Sequence, residues 1–251
     1  MKLAISGKGG VGKTTFSSLL IRNLSDSGKH VLAIDADPDA NLAAALGIPG
    51  ADKITPIAEM KELIFERTEA QPGSIGGYFK LNPKVDDLPD ALSAKMDSIK
   101  LMRLGGVKKG GAGCICPEST LLKSLVMHIV LARDEVVVMD MEAGIEHLGR
   151  ATAKAVDKLI VVVEPGRRSI DTAEHIRKLA SEIHLNAVAV VGNKIRSPKD
   201  EEFLKRHIRG LDFLGFLPYD DALIEADLDG VSPYDVDSAA RTEVAQMIAK
   251  L

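Results

Sequence analysis

One stretch near the start of the chain, Gly7-Lys8-Gly9-Gly10-Val11-Gly12-Lys13-Thr14-Thr15, constrains the possible folds more than any other. It follows an apolar run, Leu3-Ala4-Ile5, and opens a helical pattern of Phe16, Leu19, Leu20 and Leu24. The order is therefore strand, loop, helix. The spacing Gly7-x4-Gly12-Lys13-Thr14 matches a phosphate-binding loop, in which Gly7, Gly9, Gly10 and Gly12 let backbone N–H groups, those of Val11 and Thr15 among them, approach phosphate oxygens with no Cβ in the way. Lys13 would reach the β- and γ-phosphates, and Thr14 would offer its hydroxyl to Mg²⁺. The N-terminus of the following helix adds partial positive charge beneath the anion. A flexible glycine-rich loop with no ligand is the bland alternative, and the strand before and helix after argue against it.

Lys8 is the departure from the plain pattern. With Lys13 already filling the lysine position, Lys8 has no obvious partner within its own site, so it is either a solvated loop lysine or a group that crosses to a phosphate held by another subunit. The loop as written resembles the deviant Walker A motif of the MinD, ParA, arsenite-pump and nitrogenase-iron-protein superfamily. That resemblance implies an α/β fold with a mostly parallel twisted sheet flanked by helices, ATP as ligand, and a first lysine that contacts nucleotide across an ATP-dependent dimer.

Bulk properties narrow the class. At 251 residues and 45% hydrophobic content, one α/β domain with a full core is the default. The net charge of −4 indicates no extended nucleic-acid footprint, and there is no tryptophan for base stacking. No apolar run approaches the roughly 18 residues of a membrane span, and the N-terminus passes straight into a strand, so a cytoplasmic location with no membrane partner is expected.

Val31-Leu32-Ala33-Ile34 reads as a second buried parallel strand ending at Asp35-Ala36-Asp37-Pro38-Asp39. Carboxylates at a strand's carboxyl end lie where α/β sheets place ligands. Asp37 is a candidate to orient the attacking water or hold metal-bound water, with a capping or turn aspartate as the alternative; Asp39 reads as such a cap for a helix over 40–46. Residues 50 to about 113 read as a variable insertion over one edge, with a helix over 57–67 and apolar runs at 78–81 and 99–104. It leads into a glycine- and lysine-rich loop and then Cys114-Ile115-Cys116-Pro117-Glu118, which holds the chain's only cysteines. Two sulfurs at this spacing can face one ion. Pro117 fits the first turn of a helix bearing Leu121, Leu122, Leu125, Val126, Ile129 and Val130, whose N-terminus would favour the Cys116 thiolate. Two thiolates are half of a four-coordinate soft-metal site; a two-fold dimer would supply the rest, for Zn²⁺ tetrahedrally or Ni²⁺ in a flatter arrangement. Ordinary buried thiols and a redox pair are the alternatives.

Val136-Val137-Val138-Met139-Asp140 is a strand ending in an acid, the Walker B pattern, with Asp140 placed to bind Mg²⁺ through water. Gly144, just beyond it, resembles the switch II glycine whose N–H senses the γ-phosphate; a turn glycine is the alternative. Further strands are expected at 159–163 and 187–191, around a helix over 170–183. Asn193 follows, and its amide can donate to and accept from adenine in a way guanine would not match, unless it is only a turn residue. The strand 213–217 and the loop Pro218-Tyr219-Asp220 would flank the base. The terminal helical run 239–251 has mixed charge and lacks the basic, bulky face of a membrane-targeting helix.

Within the superfamily, Cys114-Ile115-Cys116-Pro117-Glu118 together with Ala143-Gly144-Ile145-Glu146-His147-Leu148-Gly149 is similar to the nickel-insertion ATPases of carbon monoxide dehydrogenase maturation, the CooC type. This implies a homodimer binding ATP or ADP, Mg²⁺, and nickel or zinc at its interface, with carbon monoxide dehydrogenase or acetyl-CoA synthase as client. An iron–sulfur electron-transfer ATPase and a MinD/ParA-type positioning ATPase are the rival readings.

Overall fold

In the computed structural model, residues 1–70, 78–105, 117–145, 148 and 150–251 are described. Strand β1 (Lys2–Ser6) leads through the glycine-rich loop into α1 (Lys13–Asp26) and then β2 (Val31–Ala36). The short α2 (Leu42–Ala45), α3 (Lys61–Thr68) and α4 (Leu88–Leu92) precede β3 (Ala94–Met96) and β4 (Ile99–Arg103). The chain continues through α5 (Pro117–Ala132), β5 (Val136–Met141), α6 (Arg150–Ala153), β6 (Lys158–Val163) and α7 (Arg167–Glu182). It closes with β7 (Val188–Ile195), α8 (Pro198–His207), β8 (Asp212–Pro218), α9 (Asp221–Leu228) and α10 (Ala239–Ile248). The strands form one eight-stranded sheet in the order β3-β4-β2-β5-β1-β6-β7-β8, parallel except for the β3-β4 pair.

Side-chain alternation along the strands divides the core into two layers. Leu3, Ile5, Val31, Ala33 and Val138 pack with Phe16, Leu19, Leu20 and Leu24 of α1 and with Val244 and Met247 of α10. Ala4, Leu32, Ile34, Val137 and Met139 face the other way, onto α3, α5, α7 and α8. Leu19, Leu20 and Ile21 are wholly enclosed, and each such side chain stabilises the fold by about 1.5–3 kcal/mol. Pro117 does open α5, and all six of its apolar positions expected from spacing are buried.

Four expectations require correction. The run 99–104, read as part of an insertion lying over an edge, instead builds the sheet: β4 pairs in parallel with β2 from Val31↔Ile99 to Asp35↔Arg103. The helix over 57–67 is broken at Met60, whose ψ of 72° separates a single 3₁₀ turn (Ile57–Glu59) from α3. Asp39 does not cap α2; the Leu42 N–H donates instead to Asp35 Oδ2 at 3.0 Å, so the buried strand-end acid does the capping. Asn193, expected just past a strand over 187–191, lies inside β7, because the strand runs on to pair Ile195 with Pro218 of β8.

Candidate active site at the carboxyl ends of the strands

The glycine-rich loop emerges from β1, which lies between β5 and β6. The chain passes from β1 to β2 on one side and reaches β6 and β7 on the other, opening the crevice where open α/β sheets bind ligands. Close approach decides two loop positions. A Cβ on Gly7 would stand 2.3 Å from the Val162 carbonyl oxygen, and one on Gly12 would stand 2.3 Å from Asn193 Nδ2. Gly12 also has φ of +90°, where an L side chain is strained by about 1–2 kcal/mol. Val11 is fully buried and Lys13 is 7% exposed, anchoring the loop on the α1 layer. Gly12→Ala is expected to displace Asn193 from the loop and weaken ADP binding by at least about tenfold, the equivalent of that strain. Titration calorimetry checks this, and unchanged affinity would contradict the packing described.

Beneath the loop sits a pair of buried acids that the sheet register creates. Asp35 of β2 is the cross-strand partner of Asp140 of β5, and Ile5 of β1 is Asp140's partner on the other side. Both acids share the α1 side with Ala33 and Val138. Thr14 Oγ1 donates to Asp140 Oδ2 at 2.7 Å and Ser17 Oγ to Asp140 Oδ1 at 3.1 Å, so the first turn of α1 grips the Walker B carboxylate. Burial pushes the Asp140 carboxyl up to about 6, against the opposing pull of the two hydroxyls and Lys13. Burial, then the charge of Asp140, pushes Asp35 up to about 7. Asp35 Oδ1 is buried without a hydrogen-bond partner among the described residues. The Thr14 hydroxyl and two carboxylates, one of them with an unsatisfied buried oxygen, form a hard, anionic donor set, which fits Mg²⁺ held by few protein ligands beside phosphate.

Asp37 stands half-buried just past β2, accepting from the Asp39 N–H at 3.0 Å, and its charge also raises Asp140. Ser6 Oγ, at the end of β1, lies 3.0 Å from the Glu142 carbonyl and 2.7 Å from that of Gly144, tying the phosphate loop's strand to the segment after β5. The Gly144 N–H donates to the Glu142 carbonyl at 2.7 Å. To serve a γ-phosphate, that turn must open.

Asn193 Nδ2 donates to the Val11 carbonyl at 2.7 Å, and its Oδ1 accepts from the Lys194 N–H at 2.8 Å. The side chain thus braces the loop from β7 and retains one N–H and one lone pair for a base. Pro218 ends β8, and the Arg196 guanidinium lies 3.8 Å over the ring of the next residue, Tyr219. Lys8, expected to lack a partner within its own site, has one in the same chain: Glu164, one residue past β6, pairs with it at 3.2 Å. Cys114 and Cys116 lie outside the described residues, as do Glu146, His147 and Gly149.

Asp35, Ser17 and Glu164 were not singled out from sequence. Asp35 and Glu164 carry the same signal that selected Asp37 and Asp140, an acid at a parallel strand's carboxyl end, and Ser17 stands one helical turn beyond Thr14.

A phosphate loop on a central parallel strand, with a hydroxyl-gripped acid beside it, defines a P-loop nucleotide hydrolase. The chain belongs to the CobQ/CobB/MinD/ParA nucleotide binding domain family, which matches residues 2–234, and it is an ATPase of that family. Over its whole length it is 46% identical to the carbon monoxide dehydrogenase accessory protein CooC of Rhodospirillum rubrum, covering 96% of that protein. It is 44% identical to an uncharacterized ATP-binding protein of Methanocaldococcus jannaschii, with 98% of this chain and 96% of that one aligned. Among solved structures, the MinD cell division protein of Aquifex aeolicus superposes with a TM-score of 0.68 at 20% identity, over 99% of this chain and 95% of that one. Structural likeness at that identity concerns the fold alone. Among the described residues, no helix is long and apolar enough to cross a membrane.

Proposed function

We propose that this ATPase serves carbon monoxide dehydrogenase maturation: an ATP-driven homodimer binds nickel, or zinc, through Cys114 and Cys116 of each subunit and helps insert nickel into the Ni–Fe–S cluster. The observation that carries the reading is the 46% identity to the accessory protein CooC across the full chain. The paired cysteines support it, since one chain holds two sulfur ligands where a soft four-coordinate ion takes four.

Gly7 to Thr15 cradle the triphosphate and Lys13 neutralises its β- and γ-phosphates. Thr14, Asp37 and Asp140 would hold Mg²⁺, Asp140 through water, and the ion would neutralise charge on the phosphates. Lys8 crosses to the nucleotide of the second subunit. Water oriented by Asp37 attacks the γ-phosphorus, giving ADP and phosphate, and Gly144 reports the change by leaving or rejoining its turn with Glu142. Asn193 and Pro218 flank the adenine. ATP binding closes the dimer and assembles four thiolates; hydrolysis parts them and frees the ion for the client. The protein works in the cytoplasm, without nucleic acid or membrane.

Nickel-deficient carbon monoxide dehydrogenase, incubated anaerobically with limiting Ni²⁺, the protein and Mg-ATP, should regain activity. Cys114→Ser with Cys116→Ser should abolish the gain while leaving ATP binding intact. Equal reactivation by the double variant would remove the thiolates from the mechanism.

A further inference from the structure

Outside the phosphate-binding machinery, one acid stands at the rim of the loop with both oxygens engaged by lysines. Glu164 Oε1 lies 3.2 Å from Lys8 Nζ, and Glu164 Oε2 lies 3.3 Å from Lys194 Nζ. Lys194 Nζ in turn donates to the Gly10 carbonyl at 2.6 Å, so the three side chains form a continuous strap from β6 across the loop to β7. The strap has a firm base. The Glu164 backbone N–H donates at 3.0 Å to Ser169 Oγ, which is buried in the first turn of α7, and Lys194 is fixed by a left-handed backbone with φ of 59°. The lysine ends are looser, Lys8 being about one-third exposed.

We propose that Glu164 is a positioning residue that holds Lys8 within its own subunit and competes with the partner subunit's nucleotide for the same ammonium group. The inference rests on the reading above that Lys8 acts across a dimer. One ammonium cannot hold a cis carboxylate and a trans phosphate at full strength, because each draws it to a different place. Dimer closure therefore has to break the Lys8–Glu164 pair once in each subunit. The bond is weak enough to yield to a polyphosphate, whose charge is greater and whose contact is buried on closure. It is strong enough to keep Lys8 off other anions until that ligand arrives.

Glu164→Gln removes the competing charge with almost no change in shape and keeps the backbone bond to Ser169. A partly exposed ion pair shifts an equilibrium by about 2- to 5-fold, and the two-fold dimer breaks two of them, so the dimer dissociation constant with Mg²⁺ and a non-hydrolysable ATP analogue should fall by about 4- to 25-fold. Sedimentation velocity on the full chain reads this. Lys8→Ala should weaken the dimer, and adding Glu164→Gln to Lys8→Ala should then change nothing, which a merely structural Glu164 would not produce. Without nucleotide, Lys8 should react faster with acetic anhydride in Glu164→Gln than in the wild type, as mapped by mass spectrometry. If Lys8→Ala weakens the dimer but Glu164→Gln alters neither the dimer constant nor Lys8 reactivity, the strap is overturned while the trans-acting lysine stands. If Lys8→Ala leaves the dimer constant untouched, the trans reading fails and the strap with it.

Discussion

Asp140→Asn is expected to lower the rate of ATP hydrolysis by about 10²–10³-fold while leaving ADP affinity within a few-fold of the wild type. The asparagine carbonyl oxygen still accepts from Thr14 Oγ1 or Ser17 Oγ, the donors that hold the aspartate at 2.7 and 3.1 Å, so the loop and α1 keep their places. What is lost is the negative charge that Asp140 would place beside the divalent cation on the proposed reading, and phosphoryl transfer depends almost entirely on positioning and charge stabilisation of that kind. On the proposed reading the nucleotide is gripped chiefly by loop N–H groups and Lys13, and the substitution leaves those groups in place. Phosphate release under saturating Mg-ATP measures the first effect and calorimetry with ADP the second. A near-wild-type rate would mean that another carboxylate carries the metal. Asp35 is the neighbour placed to do so, since the register sets it directly opposite.

The second large effect comes from that same neighbour. Measured without nucleotide or divalent cation, the protein should lose stability as pH rises from about 4 to 8, and Asp35→Asn should abolish most of the loss. The Asp35 carboxyl rises from 3.8 to about 7 on folding, and Asp140 from 3.8 to about 6. Each group thus binds its proton more tightly in the folded chain than in the unfolded one. The proton favours the fold, with no penalty below the unfolded value and a full penalty once pH has passed the folded value. For Asp35 alone, the three or so pH units between 3.8 and about 7, at about 1.4 kcal/mol each, put the penalty on the order of 4 kcal/mol by pH 8. Glu135 runs the other way: its hydrogen bond from Arg133 holds it down to about 2, and that support fades as pH falls through the interval from 4.5. Stability should therefore be greatest near pH 4–5. Between pH 5 and 8 the two acids together cost about 4 kcal/mol, roughly 8–16 °C in melting temperature for a chain of this size. Asparagine keeps an acceptor for the Leu42 N–H and carries no charge, so the Asp35→Asn variant should retain only the smaller fall over that range that the buried Asp140 sets. A wild-type melting temperature that climbs from pH 5 to 8 would refute the buried-acid account.

What could be read from sequence, and what could not, follows from the range of the interactions involved. The phosphate loop, α1, the core strands and α5 were legible because each is written in a local period: four-residue glycine spacing, apolar runs, and apolar positions one helical turn apart. The sheet order was not, because nothing in Val136–Met141 says that it inserts between β1 and β2. The same blindness hid β4, whose place as a strand depends on its pairing with the edge of β2 and with β3. Asp37 and Asp140 were legible as strand-end acids. The pairing of Asp35 with Asp140 was not, since it depends on a register in which a shift of one residue would point the acid into the opposite layer. Lys8 looked partnerless for a similar reason: Glu164 is remote in sequence and meets it only because β6 lies beside β1.

On the proposed reading, two copies of the chain, closed by ATP, form one site for a soft metal ion. Anaerobic sedimentation of protein equilibrated with Ni²⁺ and Mg²⁺ plus a non-hydrolysable ATP analogue, followed by metal analysis of the sedimenting species, tests it most directly. A dimer carrying one nickel ion per two chains is expected, with the ion lost when Cys114 and Cys116 are both replaced by serine. A monomer holding one ion per chain, unaffected by removal of both thiols, would contradict it.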